Sequence, residues 1–486
     1  VTEDKVKKAV GNRSTTPISD AFRDFIQTGW APRPAQPGTA FEQSALAAHR
    51  RSLVSAEFPG IPLIIPAGSP KQRSNDTDYP FRPHTAFTYL TGWGSGSVPG
   101  SILLGIPDGD THHFVVYQRP PAPRTSDEFY ANPGLGEFWT GPRPGLDDVA
   151  TWLGIETRDL ADWKATTSHV LAQAVIIREA DPAITAEVDA QRETENPEDD
   201  RLAQVVSELR LVKDDWEINQ LRAAVAATHD GFRDIVESLS EAVGHERGER
   251  IIEGVFHQRA RLAGNDVGYG TIAASGPHAC ILHWVRNDGP VNPGDLVLVD
   301  AGVELDTLYT ADITRTLPVS GSFSPIQRRV YEAVLEAADA AFDVVKPGIV
   351  FRDIHDTAMQ VIARYVSEWG FLPVDLEASL APEGQHHRRY MIHGTSHHLG
   401  LDVHDCAQAR REMYLDKELE PGMVFTIEPG LYFQPDDESV PVEWRGIGVR
   451  IEDNIVVTAT GAENLSRHIP RTPDDVEKWV QNSAKH

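Results

Sequence analysis

Leu296-Val297-Leu298-Val299-Asp300-Ala301-Gly302 is an apolar run that ends on a carboxylate, and Ala311-Asp312-Ile313-Thr314-Arg315-Thr316 repeats the arrangement shortly afterwards. The same oddity recurs downstream. Glu428 closes Met423-Val424-Phe425-Thr426-Ile427, and Glu452 follows Gly448-Val449-Arg450-Ile451, with apolar residues resuming at Ile455. An ionised carboxylate buried without a partner costs several kcal/mol or more, so each of these acids needs a cation or a proton. One such acid implies a salt bridge to Arg or Lys. Four of them between Asp300 and Glu452 imply a shared metal centre.

Histidines collect in the same half. Residues 386–404 hold His386, His387, His393, His397, His398 and His404, six of the nineteen in the chain. His386 and His387 stand beside Arg388-Arg389 and read as a solvated face. His393-Gly394-Thr395-Ser396-His397-His398-Leu399-Gly400-Leu401-Asp402-Val403-His404-Asp405 differs, because its glycines let the backbone bring imidazoles together.

Around this centre the chain organises itself. At 486 residues it exceeds one ordinary core, so two domains are expected. Residues 1–40 read as an arm, with a short amphipathic stretch around Ala21 to Gln27 and a Pro/Ala/Gly-rich stretch from Ala31 to Gly38. Residues 41–205 read as a smaller α/β domain. It has a helix over Phe41 to Phe58 and strands at Ile61–Pro66, Ser101–Ile106 and His113–Tyr117, the last two joined by a hairpin at Asp108-Gly109-Asp110. Acidic Glu193 to Asp200 reads as a linker. Residues 206–480 read as an α+β domain opening on a helix capped by Asp214 and Glu217, a capping-box spacing. Further helices are expected over Gln327–Val345 and Asp353–Trp369, and strands at Gly268–Ala274, Asp295–Ala301, Gly422–Ile427 and Gly448–Val457.

Composition narrows the function classes. Lys plus Arg number 45 against 72 Asp plus Glu, a net charge of −27, which disfavours nucleic acid and anionic membrane as partners. No apolar run approaches the ~20 residues of a membrane span. The two cysteines, Cys280 and Cys406, read as buried reduced thiols of a cytoplasmic protein. Asn12-Arg13-Ser14 and Asn75-Asp76-Thr77 match the glycosylation sequon by chance.

Five motifs in order resemble the pita-bread metallopeptidases, most closely their aminopeptidase P (Xaa-Pro aminopeptidase) branch. They are Cys280-Ile281-Leu282-His283, the Asp300 and Asp312 segments, the histidine segment, and Thr426-Ile427-Glu428-Pro429-Gly430-Leu431-Tyr432 paired with Trp444 to Asp453. Arg73-Ser74-Asn75-Asp76-Thr77-Asp78-Tyr79-Pro80-Phe81-Arg82 is similar to a segment of that branch's first domain. The resemblance covers about residues 40 to 470 and implies a pita-bread catalytic domain behind a smaller α/β domain. It implies two divalent ions, most suitably Mn²⁺ given an oxygen-rich ligand set with one imidazole. Asp312 and Glu452 would bridge them, Asp300 would complete one, and His397 with Glu428 the other. The activity implied is removal of the N-terminal residue from peptides with proline second, by attack of a bridging hydroxide.

By the same carry-over, His283, His393 and His404 line the reacting bond, Glu428 carries the proton and Arg450 orients a ligand carboxylate. Tyr269 and Tyr432 support the site, and Asp76 holds the substrate amino end, in a homo-oligomer (dimer or tetramer). Two departures from the pattern stand out. Asp300 and Asp312 are twelve residues apart where eleven are expected, which points to an extra residue in the turn around Leu305-Asp306-Thr307. His398 replaces a bulky aromatic and would add a polar wall to the substrate pocket or a further ligand. Prolidase, restricted to Xaa-Pro dipeptides, is the alternative from the same chemistry. A non-catalytic peptide-binding protein is the alternative from another class.

Overall fold

The computed structural model describes residues 18–33, 38–75, 77–192, 194 and 196–483. It divides into two compact units, residues 1–206 and 207–486. Asp76, the first seventeen residues and residues 34–37 of the Pro-rich stretch lie outside the described residues.

In the first unit, helix α1 (Asp20–Ile26) starts at Ser19, whose side chain accepts from the Phe22 N–H. Trp30, beyond this helix, sets its ring edge-on to Phe129 and Phe138, and Arg33 forks onto Glu137. The arm is thus tied to its own unit where it is described. Helix α2 (Ser44–Glu57) precedes a sheet of β1 (Leu63–Pro66), β2 (Ile102–Asp108), β3 (Thr111–Gln118), β4 (Glu156–Asp159) and β5 (Val175–Ile176). The order is β4-β3-β2-β1-β5, with β1–β5 and β3–β4 parallel and the other pairs antiparallel. The β2–β3 hairpin closes at Gly109, whose φ of 62° suits glycine. Ile64, Leu104, Val115, Tyr117 and Trp163 form the core.

The acidic run expected as a linker ends instead in a helix, α3 (Glu198–Leu209). Glu198, Asp199 and Asp200 occupy its first turn, where the helix dipole favours negative charge. Helix α4 (Asp215–Ala242) has the capping box read from sequence: Asp214 Oδ1 accepts from the Glu217 N–H, and Glu217 Oε2 from the Asp214 N–H. Its buried face runs through Leu221, Val225, Phe232, Ile235 and Leu239 onto α5 (Gly248–Ala263). Helices α6 (Pro325–Asp343) and α7 (Arg352–Glu368) form a second packed pair.

The strands of this second unit carry the acids. β6 (Ile272–Ser275), β7 (Leu296–Ala301) and β8 (Ile313–Pro318) form one antiparallel sheet in the order β8-β7-β6. Asp300 pairs with Thr314, so Asp312 precedes β8 by one residue. In the turn before it, the Leu305 N–H reaches the Tyr309 carbonyl, the Leu308 N–H reaches the Leu305 carbonyl, and Leu308 takes a φ of 70°. Where the two arms converge, Gly302 allows a close approach. A Cβ there would lie 1.7 Å from the Ala311 carbonyl oxygen.

The single strand expected over Gly448–Val457 is broken. β11 (Gly448–Arg450) pairs with β10 (Gly430–Tyr432), whereas β12 (Asp453–Val457) lies between β9 (Val424–Ile427) and β13 (Ala462–Asn464). At the break the Ile451 N–H donates to Pro429 and the Glu452 N–H to Thr314 of β8. The strand expected over Gly268–Ala274 is also shorter, beginning only at Ile272 after a separate bridge-forming pair, Asp266–Val267. No described helix is long and apolar enough to cross a membrane.

Candidate active site

Each acid is delivered by an end or break of a strand. Asp300 is near the end of β7, Asp312 lies just before β8, Glu428 just after β9 and Glu452 between β11 and β12. The histidine segment runs beside β9. Thr426 and Glu428 donate their N–H groups to the carbonyls of His397 and Thr395, and Leu399 donates to Val424. That pairing brings His397 and Glu428 together: His397 Nε2 is 3.2 Å from Asp312 Oδ2 and 3.5 Å from Glu428 Oε1. One ligand-type atom each of Asp312, His397 and Glu452 fit within 4.8 Å of one another. His397 Nδ1 lies 3.2 Å from the His398 carbonyl, to which it donates, so Nε2 is the nitrogen turned to the acids.

A cavity of about 680 Å³ opens over these groups, lined also by Tyr269, His283, His393, His404 and Arg450. Arg450 ties its floor together. Nη2 donates to Asp300 Oδ2 at 2.5 Å, Nη1 to the Tyr432 hydroxyl at 3.0 Å and Nε to Thr314 Oγ1 at 3.1 Å. Thr314 in turn donates to Glu452 Oε2 at 2.8 Å. The Tyr432 hydroxyl donates onward to His393 Nε2 at 2.8 Å, while His393 Nδ1 donates to the Gly394 carbonyl. His393 is therefore neutral, consistent with burial and Arg450 pushing its pKa down to about 3.

Electrostatics indicate what is needed here. Burial, then the charges of Asp312, Glu428 and Asp300, hold the Glu452 carboxyl well above the usual carboxylate range. Burial and Asp300 raise Asp312, and burial raises Glu428 to about 7. Burial alone would lower His397, but its hydrogen bond to Asp312 and the charge of Glu428 raise it to about 9. The Tyr269 hydroxyl has one proton and lies within 2.7 Å of Asp300 Oδ1 and 2.5 Å of Asp312 Oδ1. Glu452 Oε1 is buried without a hydrogen-bond partner. Four carboxylates facing one guanidinium, with a partnerless oxygen and an imidazole Nε2 turned toward the acids, fit divalent cations.

Sequence reasoning misplaced two histidines. His398 does not line the cavity. Its ring stacks on Phe351 with centroids 4.4 Å apart, abuts Tyr414, and is buried. The aromatic expected at this position is replaced by a ring in the same kind of box, so a substrate-wall or ligand role does not follow. His387 is buried too, against Ser379, rather than solvated. Arg450 and Glu452 both reach the site, but across the strand break rather than by alternation along one strand. Tyr432 acts on the cavity only through His393 and Arg450. Thr314 was missed, as was Asn454, whose Oδ1 accepts from the Asp312 N–H at 3.2 Å and whose Nδ2 donates to the Asp312 carbonyl. Their sequence signal, a polar residue flanking an acid in a strand, is too common to single them out. Both cysteines are free and buried, with their thiols pushed up to about 12 by burial.

Comparison with known proteins covers nearly the whole chain. Residues 219–459 match the model of metallopeptidase family M24, and residues 47–177 match that of the aminopeptidase P N-terminal domain. Xaa-Pro aminopeptidase 2 of Streptomyces coelicolor is 49% identical over 96% of this chain and 97% of its own length. The Xaa-Pro aminopeptidase of Escherichia coli is 33% identical over 90% of this chain and 97% of its own. The aminopeptidase PepP structure of Pseudomonas aeruginosa superposes with a TM-score of 0.80 at 30% identity, covering 92% of this chain and all of that one.

Proposed function

Because the chain belongs to metallopeptidase family M24, in its aminopeptidase P branch, we propose that it releases the N-terminal residue from peptides with proline second. The observation that carries this reading is the convergence of Asp312, His397 and Glu452 beneath a cavity also lined by Asp300 and Glu428. Those five residues would hold two divalent ions. Manganese suits the oxygen-rich set with one imidazole better than the sulfur-favouring metals do. When bound, the ions acidify a water and polarise the scissile carbonyl.

The chain's own groups supply the rest. Glu428, at the cavity wall beside His397, would take a proton from the attacking water and pass it to the departing proline nitrogen. That nitrogen has no N–H of its own in the peptide, and the ring locks φ, which is why a dedicated cleft is required. His404, kept neutral by burial and by His397, and His283 donate to the substrate carbonyl as negative charge develops on it. His393 is held by Tyr432 at the cavity wall, and Arg450 fixes the Asp300 carboxylate. Asp76 as the acid for the substrate amino end, and assembly as a homo-oligomer, belong to the same proposal and rest on the Arg73 to Arg82 segment. Two buried thiols support a cytoplasmic location.

The test is kcat/KM for one Xaa-Pro dipeptide against the matching Xaa-Pro-Yaa tripeptide. An aminopeptidase lets the chain beyond proline run to solvent, so the tripeptide should be the better substrate. A prolidase must clamp the proline carboxylate, and extension would leave that clamp unpaired. Preference for the dipeptide would move the assignment to prolidase. Absence of turnover on both, with metal bound, would favour a peptide-binding role.

A further inference from the structure

The loop between β6 and β7 carries His283, flanked by buried Cys280 and Trp284. Ile281, His283 and Val285 are exposed, while Leu282, His283 and Val285 line the cavity. Gln434 Nε2 donates to the Cys280 carbonyl and the Cys280 thiol to that of Phe433, but the tie that gathers most of the loop is one carboxylate. Glu249, in the first turn of α5, is fully buried and takes four donors. Its Oε1 accepts from the Ser275 N–H at 2.8 Å and from His278 Nδ1 at 2.7 Å. Its Oε2 accepts from the Trp284 indole N–H at 2.9 Å and from the Gly289 N–H at 2.7 Å.

These four donors come from the strand end at Ser275, from Gly289 past the middle of the loop, and from two rings between them. The His278 ring lies flat on Trp284, centroids 3.9 Å apart, so the rings are fixed to each other as well as to the acid. Gly289 has no room for a side chain. A Cβ there would meet His278 Cε1 at 2.6 Å and Glu249 Oε2 at 2.9 Å. Asn287 supplies a second tie to β6, accepting from the Ala273 N–H and donating to the Thr271 carbonyl. A buried charge satisfied by four well-made hydrogen bonds is costly to disturb, because any donor left behind is orphaned in the interior.

We propose that Glu249 is a positioning residue for the reaction, holding the loop so that His283 overhangs the cavity. The inference rests on the reading of His283 as a hydrogen-bond donor to the substrate. The aspect that goes beyond it is that a residue outside the cavity sets the efficiency of that donor. A purely structural carboxylate would instead lower stability without a specific link to His283.

The experiment compares manganese-loaded wild type with E249Q, H283A and the double variant, using an Xaa-Pro-Yaa tripeptide. In E249Q the amide group faces two donors, so half the clamp is lost. His283→Ala and E249Q should each lose kcat on the order of 10²-fold, with metal content unchanged, and the double variant should lose no more than either. In metal-free protein, E249Q should also lose hydrogen-exchange protection at the Ser275 and Gly289 amides. Losses that multiply in the double variant, or a silent E249Q beside an impaired His283→Ala, overturn the inference alone. A silent His283→Ala overturns the hydrogen-bond role of His283 and the inference with it. Should E249Q not fold, Trp284→Phe removes one donor and keeps the ring. It should reduce kcat severalfold in wild type and not at all in the His283→Ala background, and an equal reduction in both overturns the proposal.

Discussion

His397 and His404 lie with ring centroids 4.2 Å apart, yet their surroundings assign them different work. His397 has its Nδ1 committed to a carbonyl and its Nε2 turned to Asp312 and Glu428, whereas His404 lines the cavity away from these acids' oxygens. Replacing His397 by Ala should therefore lose or weaken one ion. Replacing His404 by Ala should keep both ions and lose rate on the order of 10²–10³-fold. Metal content beside kcat separates the two, and equal metal loss in both variants would refute the division. At this scale the sequence was most informative where a residue is out of place, such as an acid after an apolar run. It was least informative for Thr314, Asn454 and Glu249, which are ordinary polar residues until their partners are seen. It misled at His398, because an imidazole can satisfy an aromatic box as well as a ligand site.

The long helices of the second unit were legible to within a few residues of their ends, helped at α4 by the local capping signal of Asp214 and Glu217. Strands were legible as apolar runs, but not where they change partner, because alternation does not say which neighbour receives each N–H. The β7–β8 turn shows what that ambiguity permits. The chain turns through a left-handed Leu308, with Asp300 opposite Thr314. Deleting Thr307 should thus leave metal content intact, while inserting one Ala between Ala311 and Asp312 should abolish it, since a one-residue slip turns a strand's side chains over. Metal analysis of the two purified variants decides this. The end of the histidine segment has its own anchor. Asp405 is buried and accepts from Arg210 Nε and Lys213 Nζ, both at 3.0 Å. Although burial alone would raise it, these cations hold its carboxyl well below the usual range. A depressed folded pKa contributes stability that is complete above the unfolded value and lost as pH falls below ~4 toward the folded one. Asp405→Asn should lower Tm at neutral pH, consistent with the ~3–5 kcal/mol cost of leaving buried charges unpaired. It should also flatten the dependence of Tm on acid pH, and an unchanged slope would show that the cluster does not contribute.

For the whole molecule, length alone argued for two domains, and two compact units are found. Part of the large negative charge has a specific place, in acids gathered around the Arg450 guanidinium. Chelation should abolish turnover, and Mn²⁺ should restore it better than Mg²⁺, which dehydrates reluctantly and insists on octahedral geometry. Full activity with metal confirmed absent would eliminate the two-ion mechanism.

Gly302 shows where such a protein is vulnerable to mutation. It carries no functional group, yet a single methyl group there would occupy the space of the Ala311 carbonyl oxygen, beside the two acids of the β7–β8 hairpin. In a selection among random variants, Gly302→Ala should be eliminated as surely as loss of Asp300 or Asp312, although its chemistry is nil. A variant that grew normally under selection for the activity would show that the hairpin can part without harm. The space that a side chain would fill is thus as much a requirement of the hairpin as the acids around it.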